Sequence, residues 1–282
     1  MHTPDEMLKL ILDVADRDPH VFAVGLQGSR SHDRDVDRFS DFDVVYVVDR
    51  LSPYLDDPQW IDRFGKRRIL QTPDDFYNSD FNRDTATKFT WLMQFDDRNR
   101  IDLTLVEKEE KTVESLRMKV VLDKTGDIAS MVSTAETHPN PEFNEKEFRD
   151  TVNEFWWLTY YVAKGIVRRE ELYAKACFDI LLDMTAKVLR WTVVETNEDA
   201  RIGKFDRHLQ RYLDPLLYQG YLECFPTCRL DDMSQRLIRC MAYFEEAAHR
   251  LADRRSLKIL EDTRTIRNEI TSILKETEFL GL

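Results

Sequence analysis

Apolar residues recur along this chain at two different periods, and the change comes near its middle. Met7, Leu8, Ile11, Leu12 and Ala15 are spaced by three and four. That spacing predicts a helix running to Asp16, capped by Thr3 or Asp5 and ended at Asp18-Pro19. Residues 20–26 and 44–48 then read as strands, the second apolar at every position, as a strand buried on both faces must be. Residues 56–64 predict a short helix capped at Asp56 or Asp57 and stopped by Gly65, and 67–71 a short strand. An acidic, irregular connection follows over 72–84. The β-rich runs 88–95 and 100–106 flank the polar turn 96–99, which is the pattern of a hairpin. A last strand-like segment covers 119–122 and ends in the turn 123–126.

Beyond Asn144 the period is helical throughout. Residues 145–168 carry Phe148, Val152, Phe155, Trp156, Leu158 and Val162, and residues 170–194 carry Leu172, Ala176, Ile180, Met184, Val188 and Trp191. Shorter helices are predicted over 205–213, 215–224, 231–250 and 255–274. Residues 137–141, with two prolines and no periodicity, read as a linker. The expected fold class is α+β. A domain over 1–138, with a mixed β-sheet flanked by helices, precedes an all-α helical bundle over 139–282.

Composition narrows the function. With 41 basic and 53 acidic side chains the formal net charge is −12, which repels a nucleic-acid backbone and favours a cationic small molecule. No apolar run reaches 18 residues, so no membrane span is expected. The start, MHTPDEMLKL, lacks the basic and apolar regions of a secretory signal, and the expected location is the cytoplasm. Cys177, Cys224, Cys228 and Cys240 read as reduced thiols. Cys224 and Cys228 have only His208 near them in sequence, too few ligands for zinc.

The candidate chemistry lies between Val24 and Val48. Asp41 and Asp43 alternate with Phe42 at the start of a strand, so their side chains share one face. Two carboxylates held together call for a positive partner, and hard oxygen ligands favour magnesium. Upstream, Gly28-Ser29 offers N–H groups and a hydroxyl at a strand-to-helix turn, where phosphates bind. Asp102 lies inside the second hairpin strand. If that strand lies beside the first, three carboxylates converge, and two Mg²⁺ ions balance them against the triphosphate of a nucleotide.

This arrangement, Leu26-Gln27-Gly28-Ser29, then eleven residues, then Asp41-Phe42-Asp43, with Ile101-Asp102-Leu103 later, resembles the DNA polymerase beta-like nucleotidyltransferases. The stretches QGSR, SDFDVVYVV, RIDLTLV, VLDKTG and NEFWWLTYYVAKGIVRRE are similar to the aminoglycoside 6-adenylyltransferases, which modify streptomycin and confer antibiotic resistance. The resemblance spans nearly the whole chain. It implies a Mg²⁺-dependent transfer of AMP from ATP to a hydroxyl of streptomycin, at its 6-position. Gly28 and Ser29 would hold the β- and γ-phosphates, Asp41 and Asp43 both metals, and Asp102 the metal at the attacking hydroxyl. Arg30 is a further candidate at the nucleotide.

The helical half is expected to close the cleft. Glu154, Trp157, Tyr161, Lys164 and Arg168 form one stripe at spacings of three and four. Lys164 is the candidate ligand for the triphosphate and Lys204 a second. Glu154 is placed to receive a substrate cation, Trp157 and Tyr161 to stack on it, and Asp179 and Asp183 to add acceptors. Two rivals share the motif: a nucleotidyltransferase that adenylylates a partner protein, and an inert nucleotide-binding module.

Overall fold

The computed structural model describes residues 2–32, 36–134, 140–259 and 262–279. The chain forms two compact units, Met1–Thr137 and His138–Leu282. Residues 137–139 of the predicted linker lie outside the described residues.

The first unit opens with helix α1, Pro4–Arg17. Thr3 and Glu6 form a capping box at its start, with reciprocal hydrogen bonds of 3.3 and 2.7 Å. At its other end the Lys124 ammonium donates to the carbonyl oxygens of Ala15, Asp16 and Asp18 at 2.7–2.9 Å, which satisfies the end that carries partial negative charge. Strand β1, Val21–Leu26, leads into a four-residue helix α2, Gly28–Ser31, and β2 follows at Phe42–Val48. Helix α3 is Ser52–Asp56. Then come β3, Arg67–Gln71; β4, Lys88–Phe95; β5, Arg100–Glu107; helix α4, Glu110–Glu114; β6, Lys119–Asp123; and helix α5, Ile128–Met131.

The six strands make one mixed sheet in the order β3-β4-β5-β2-β1-β6. Strands β4 and β5 form the predicted hairpin, and β2 runs parallel to β5. The central β2 is buried on both faces. One face packs on α1 and the 3₁₀ turn Trp60–Phe64 through Met7, Ile11, Tyr46, Phe64 and Leu103. The other packs Ala23, Val45, Val47 and Val106 against Val113, Met118 and Ile128 from the segments around α4 and α5.

The structure corrects the helix predicted over 56–64. Only Trp60–Phe64 of that range is helical, as a 3₁₀ turn, while α3 ends at Asp56, because Pro58 lacks an N–H and pushes Asp57 out of helical geometry (φ −109°, ψ 87°).

The second unit is helical. Its elements are α6, Glu145–Val167; α7, Glu171–Thr196; α8, Pro215–Leu222; α9, Leu230–Arg254; and α10, Thr263–Phe279. Helix α6 packs on α7, α9 and α10. Phe155 of α6 stacks on Phe244 of α9 with ring centroids 3.6 Å apart. The Trp191 indole donates to the Glu142 carbonyl oxygen at 3.1 Å.

Three expectations change in this unit. The stripe predicted on α7 is displaced: Leu172 and Ile180 are exposed, while Ala174, Cys177, Phe178, Leu181 and Leu182 are buried. Val188 and Trp191 of that stripe are buried as expected, so the predicted face fails only toward the start of the helix, which is apolar around much of its girth. Residues 205–213 form two 3₁₀ turns, Lys204–Asp206 and Leu209–Arg211. Phe205 and Asp206 have positive φ there, and Arg190 holds the Asp206 carboxylate at 2.8 and 3.1 Å. The last helix starts at Thr263, and Ser256 with φ 54° breaks the run expected from 255. Among the described residues no helix is long and apolar enough to cross a membrane. Cys177, Cys224 and Cys240 are buried free thiols, and Cys228 is an exposed one.

Candidate active site

Strands β2 and β5 pair in parallel with Asp43 directly opposite Asp102. Paired residues of neighbouring strands point to the same face, so these two carboxylates stand side by side. Asp41, two residues before Asp43, projects to the same side. Along both strands this face passes from charged to apolar: Asp43 is followed by Val45 and Val47, and Asp102 by Thr104 and Val106. The apolar end lies under the α4–α5 layer, and the charged end is part-exposed. Beside Asp102 the floor continues into β4, where the hydroxyls of Thr90 and Thr104 meet at 3.2 Å.

The turn that carries Gly28 is built around Asp43. The Gln27 N–H donates to the Asp43 carbonyl oxygen at 2.8 Å. Gly28 has φ +60°, and a Cβ placed on it would lie 2.2 Å from Asp43 Oδ2. Glycine is therefore required twice here, by conformation and by space. Ser29 follows in the first turn of α2, where backbone N–H groups have no acceptor within the helix.

Arg30, the further candidate at the nucleotide, is held against the segment before β2. Its Nε donates to the Asp41 carbonyl oxygen at 3.1 Å and its Nη2 to that of Ser40 at 3.0 Å, with the guanidinium 3.8 Å from the centre of the Phe42 ring. Burial lowers its pKa from the ordinary arginine value, against the opposing pull of Asp41. The residue clamps the segment that delivers Asp41.

Arg100 is the site residue that the reading of the sequence missed. Its Nε and Nη2 grip Asp102 bidentately at 2.8 and 2.7 Å, and its Nη1 lies 3.3 Å from Asp41 Oδ2. Those hydrogen bonds to Asp102 raise its pKa above the ordinary arginine value. The signal was present: Arg100 is two residues before Asp102, so both share a face of one strand. The guanidinium stands between Asp41 and Asp102, and among the described residues no group of three acidic, histidine or cysteine side chains is arranged to hold a metal as it stands. The donor set itself fits a hard divalent cation: carboxylates alone, on one face, against a glycine that leaves room for one of them.

In the helical unit, Glu154, Trp157, Tyr161 and Lys164 are all exposed along α6. Trp157 is 63% exposed, while its neighbour Trp156, at 2%, belongs to the core. The Trp157 and Tyr161 rings lie 6.3 Å apart, and the Lys164 ammonium is 5.9 Å from the Tyr161 ring centre. Asp179 and Asp183 are exposed on α7. Asp179 pairs with Lys175 one turn away, and Asp183 lies 3.6 Å from Arg190. Lys204 is exposed, 5.1 Å from the centre of the Phe205 ring.

Residues 1–273 match the family described as streptomycin adenylyltransferase. The chain belongs to that family. Within it, the chain is 29% identical over 257 residues to the aminoglycoside 6-adenylyltransferase of Bacillus subtilis (strain 168), covering 87% of this chain and 89% of that one. It is 29% identical over 259 residues to the Campylobacter jejuni protein of the same name, covering 89% of both. Among solved structures it is similar to an aminoglycoside 6-adenyltransferase from Bacillus subtilis, at 24% identity and a TM-score of 0.47, covering 97% of this chain and 99% of that one. Like the streptomycin adenylyltransferase family as a whole, the chain is read as a nucleotidyl-transferring enzyme.

Proposed function

We propose that this protein transfers AMP from ATP to a hydroxyl of streptomycin, at the 6-position, and so confers resistance to it. One observation carries the reading: Asp43 and Asp102 are paired across parallel strands, with Asp41 on the same face and Gly28 against Asp43. Family membership and the names of the relatives supply the substrate class. The first-turn N–H groups at Gly28 and Ser29, with the Ser29 hydroxyl, bind the β- and γ-phosphates. Asp41, Asp43 and Asp102 would hold two Mg²⁺ ions, which neutralise the triphosphate and make the acceptor hydroxyl more acidic when bound. Asp102 accepts the proton of that hydroxyl at a carboxylate oxygen. The hydroxyl oxygen bonds to the α-phosphorus in line as the bond to the β-phosphate oxygen breaks, and pyrophosphate leaves. A product carrying AMP is bulkier and more anionic than the drug, which removes the cationic complementarity that the antibiotic depends on.

On α6, Trp157 and Tyr161 offer stacked faces for a sugar or a guanidinium, Glu154 an acceptor for a cation, and Lys164 a charge for phosphate. ATP as co-substrate accords with the cytoplasm as the location. The test is incubation with labelled ATP, Mg²⁺ and a panel of aminoglycosides that includes streptomycin. Pyrophosphate release and an AMP-sized mass increase on streptomycin are expected, and both should vanish in Asp41→Asn and Asp43→Asn proteins that melt like the parent. A folded protein that leaves streptomycin unmodified refutes the substrate; near-full activity in either variant refutes the site.

A further inference from the structure

Arg100 is at once too well placed and in the way. Three of its nitrogens engage two of the three carboxylates that the proposed chemistry needs, at 2.7, 2.8 and 3.3 Å. Planar, bidentate pairing with Asp102 is the strongest form such a contact takes. A hard divalent ion bound by Asp41 and Asp102 would compete for the same oxygens. The two cations therefore exclude one another at the cluster. The arginine still has a reason to be there. Three carboxylates brought together by β-sheet pairing repel one another, and a cation among them relieves that repulsion when no other is bound. The cluster is also open: Arg100 is 40% exposed and Asp41 37%, so the guanidinium can leave by side-chain rotation with the strands unmoved.

We propose that Arg100 is the resident counter-cation of the acid cluster. It holds Asp41 and Asp102 together in the nucleotide-free protein and yields them to the divalent ion that arrives with the nucleotide. The inference rests on reading the three acids as the metal site. Arg100 is then a positioning residue. It preserves the convergence of the acids before substrate binds, and it ties metal loading to the arrival of a nucleotide by keeping affinity for the bare ion low.

A merely structural arginine makes the opposite prediction. Its loss would disorder the acids and weaken metal binding, whereas loss of a competing cation strengthens it. The probe is Mn²⁺ titrated into the nucleotide-free full chain, with the free ion followed by electron paramagnetic resonance and melting measured with and without the ion. Arg100→Met is expected to bind Mn²⁺ about tenfold more tightly than the parent. It should melt lower in chelator and gain more from added Mn²⁺. Arg100→Lys, whose single ammonium cannot span both carboxylates, should lie between the two and serves if Arg100→Met does not fold. Unchanged, weaker or undetectable Mn²⁺ binding by these folded variants overturns the proposal. Asp43→Asn, made in the parent and in the Arg100→Met protein, separates the two readings. Binding that disappears with it but does not respond to Arg100 leaves the metal site standing and removes the arginine's role. Tight binding that survives it locates the ion elsewhere and removes both.

Discussion

At the scale of single residues, the site depends on a glycine as much as on its acids. Gly28 allows Asp43 Oδ2 into the space a side chain would fill, and does so in a left-handed conformation. Gly28→Ala adds conformational strain of about 1–2 kcal/mol and forces the Asp43 carboxylate aside. The expected result is a fall of at least about 100-fold in turnover, since stabilisation of developing charge depends on such placement, with only modest loss in melting temperature. Pyrophosphate release and thermal melting measure the two effects; near-parent turnover would show that Asp43 does not need that position. Asp41, Asp43 and Gly28 were legible in the sequence because each breaks a local rule: acids open an apolar strand, and a glycine-serine pair ends one. The clamp made by Arg30 was not, because it reaches backbone of another segment through a long side chain that spacing does not constrain, whereas Arg100 was readable from its place before Asp102 and was missed. The pairings of Asp179 and Asp183 were hidden for a related reason. Their cationic partners, Lys175 and Arg190, sit on the same helix, and a solvated ion-pair face has the same pattern as a recognition face.

At the scale of elements, the turn between β4 and β5 ties down the start of the chain. Asp97 in that turn accepts from the backbone N–H of His2 and of Asn99, each at 3.0 Å. Burial pushes its carboxyl up, but the hydrogen bonds from His2 and Asn99 outweigh this and hold it at about 2. An unfolded aspartate titrates near about 3.9, so the folded state keeps this carboxylate charged to lower pH. The resulting stability is fully present above about pH 4 and is lost as pH falls through about 2. In urea titrations, Asp97→Asn should therefore cost stability at neutral pH, with the difference from the parent shrinking between pH 4 and 2. A constant difference across that window would contradict the assignment. Elements with strong local signals, such as the β4–β5 hairpin and α6, were readable from periodicity and turn chemistry. The short α4 and α5 were missed because one helical turn is too brief to show a period. The run 255–274 was over-extended because a single left-handed Ser256 leaves no mark in composition.

At the scale of the molecule, the two units have separate hydrophobic cores, one built on the two faces of the sheet and one within the helices. Phe155, fully buried and stacked on Phe244, is central to the second. Phe155→Ala should destabilise the helical unit by about 3–5 kcal/mol, the range for truncating a buried aromatic. Calorimetry should resolve a lowered transition for that unit and an unshifted one for the sheet unit; a single transition displaced as a whole would show that the cores unfold together. The division into a mixed sheet followed by helices was visible because the apolar period changes once, near the middle. The order of strands was not, since which strand lies beside β2 depends on contacts far apart in sequence.

That dependence has a kinetic consequence. Strands β4 and β5 are joined by a tight turn and form a local hairpin, whereas β2 meets β5 only after the whole of 49–99 has been looped back. Parallel pairing of this kind carries the larger loop-closure cost and forms late. Asp43 and Asp102 belong to the two sides of that seam, so a partly folded chain with an intact hairpin still lacks the cluster. In refolding from denaturant followed by pulse-labelled hydrogen exchange, amide protection between β2 and β5 should trail protection within the β4–β5 hairpin. Chains caught before the seam closes would have the hairpin without the cluster, and the meeting of Asp43 with Asp102 would mark the closing of the seam.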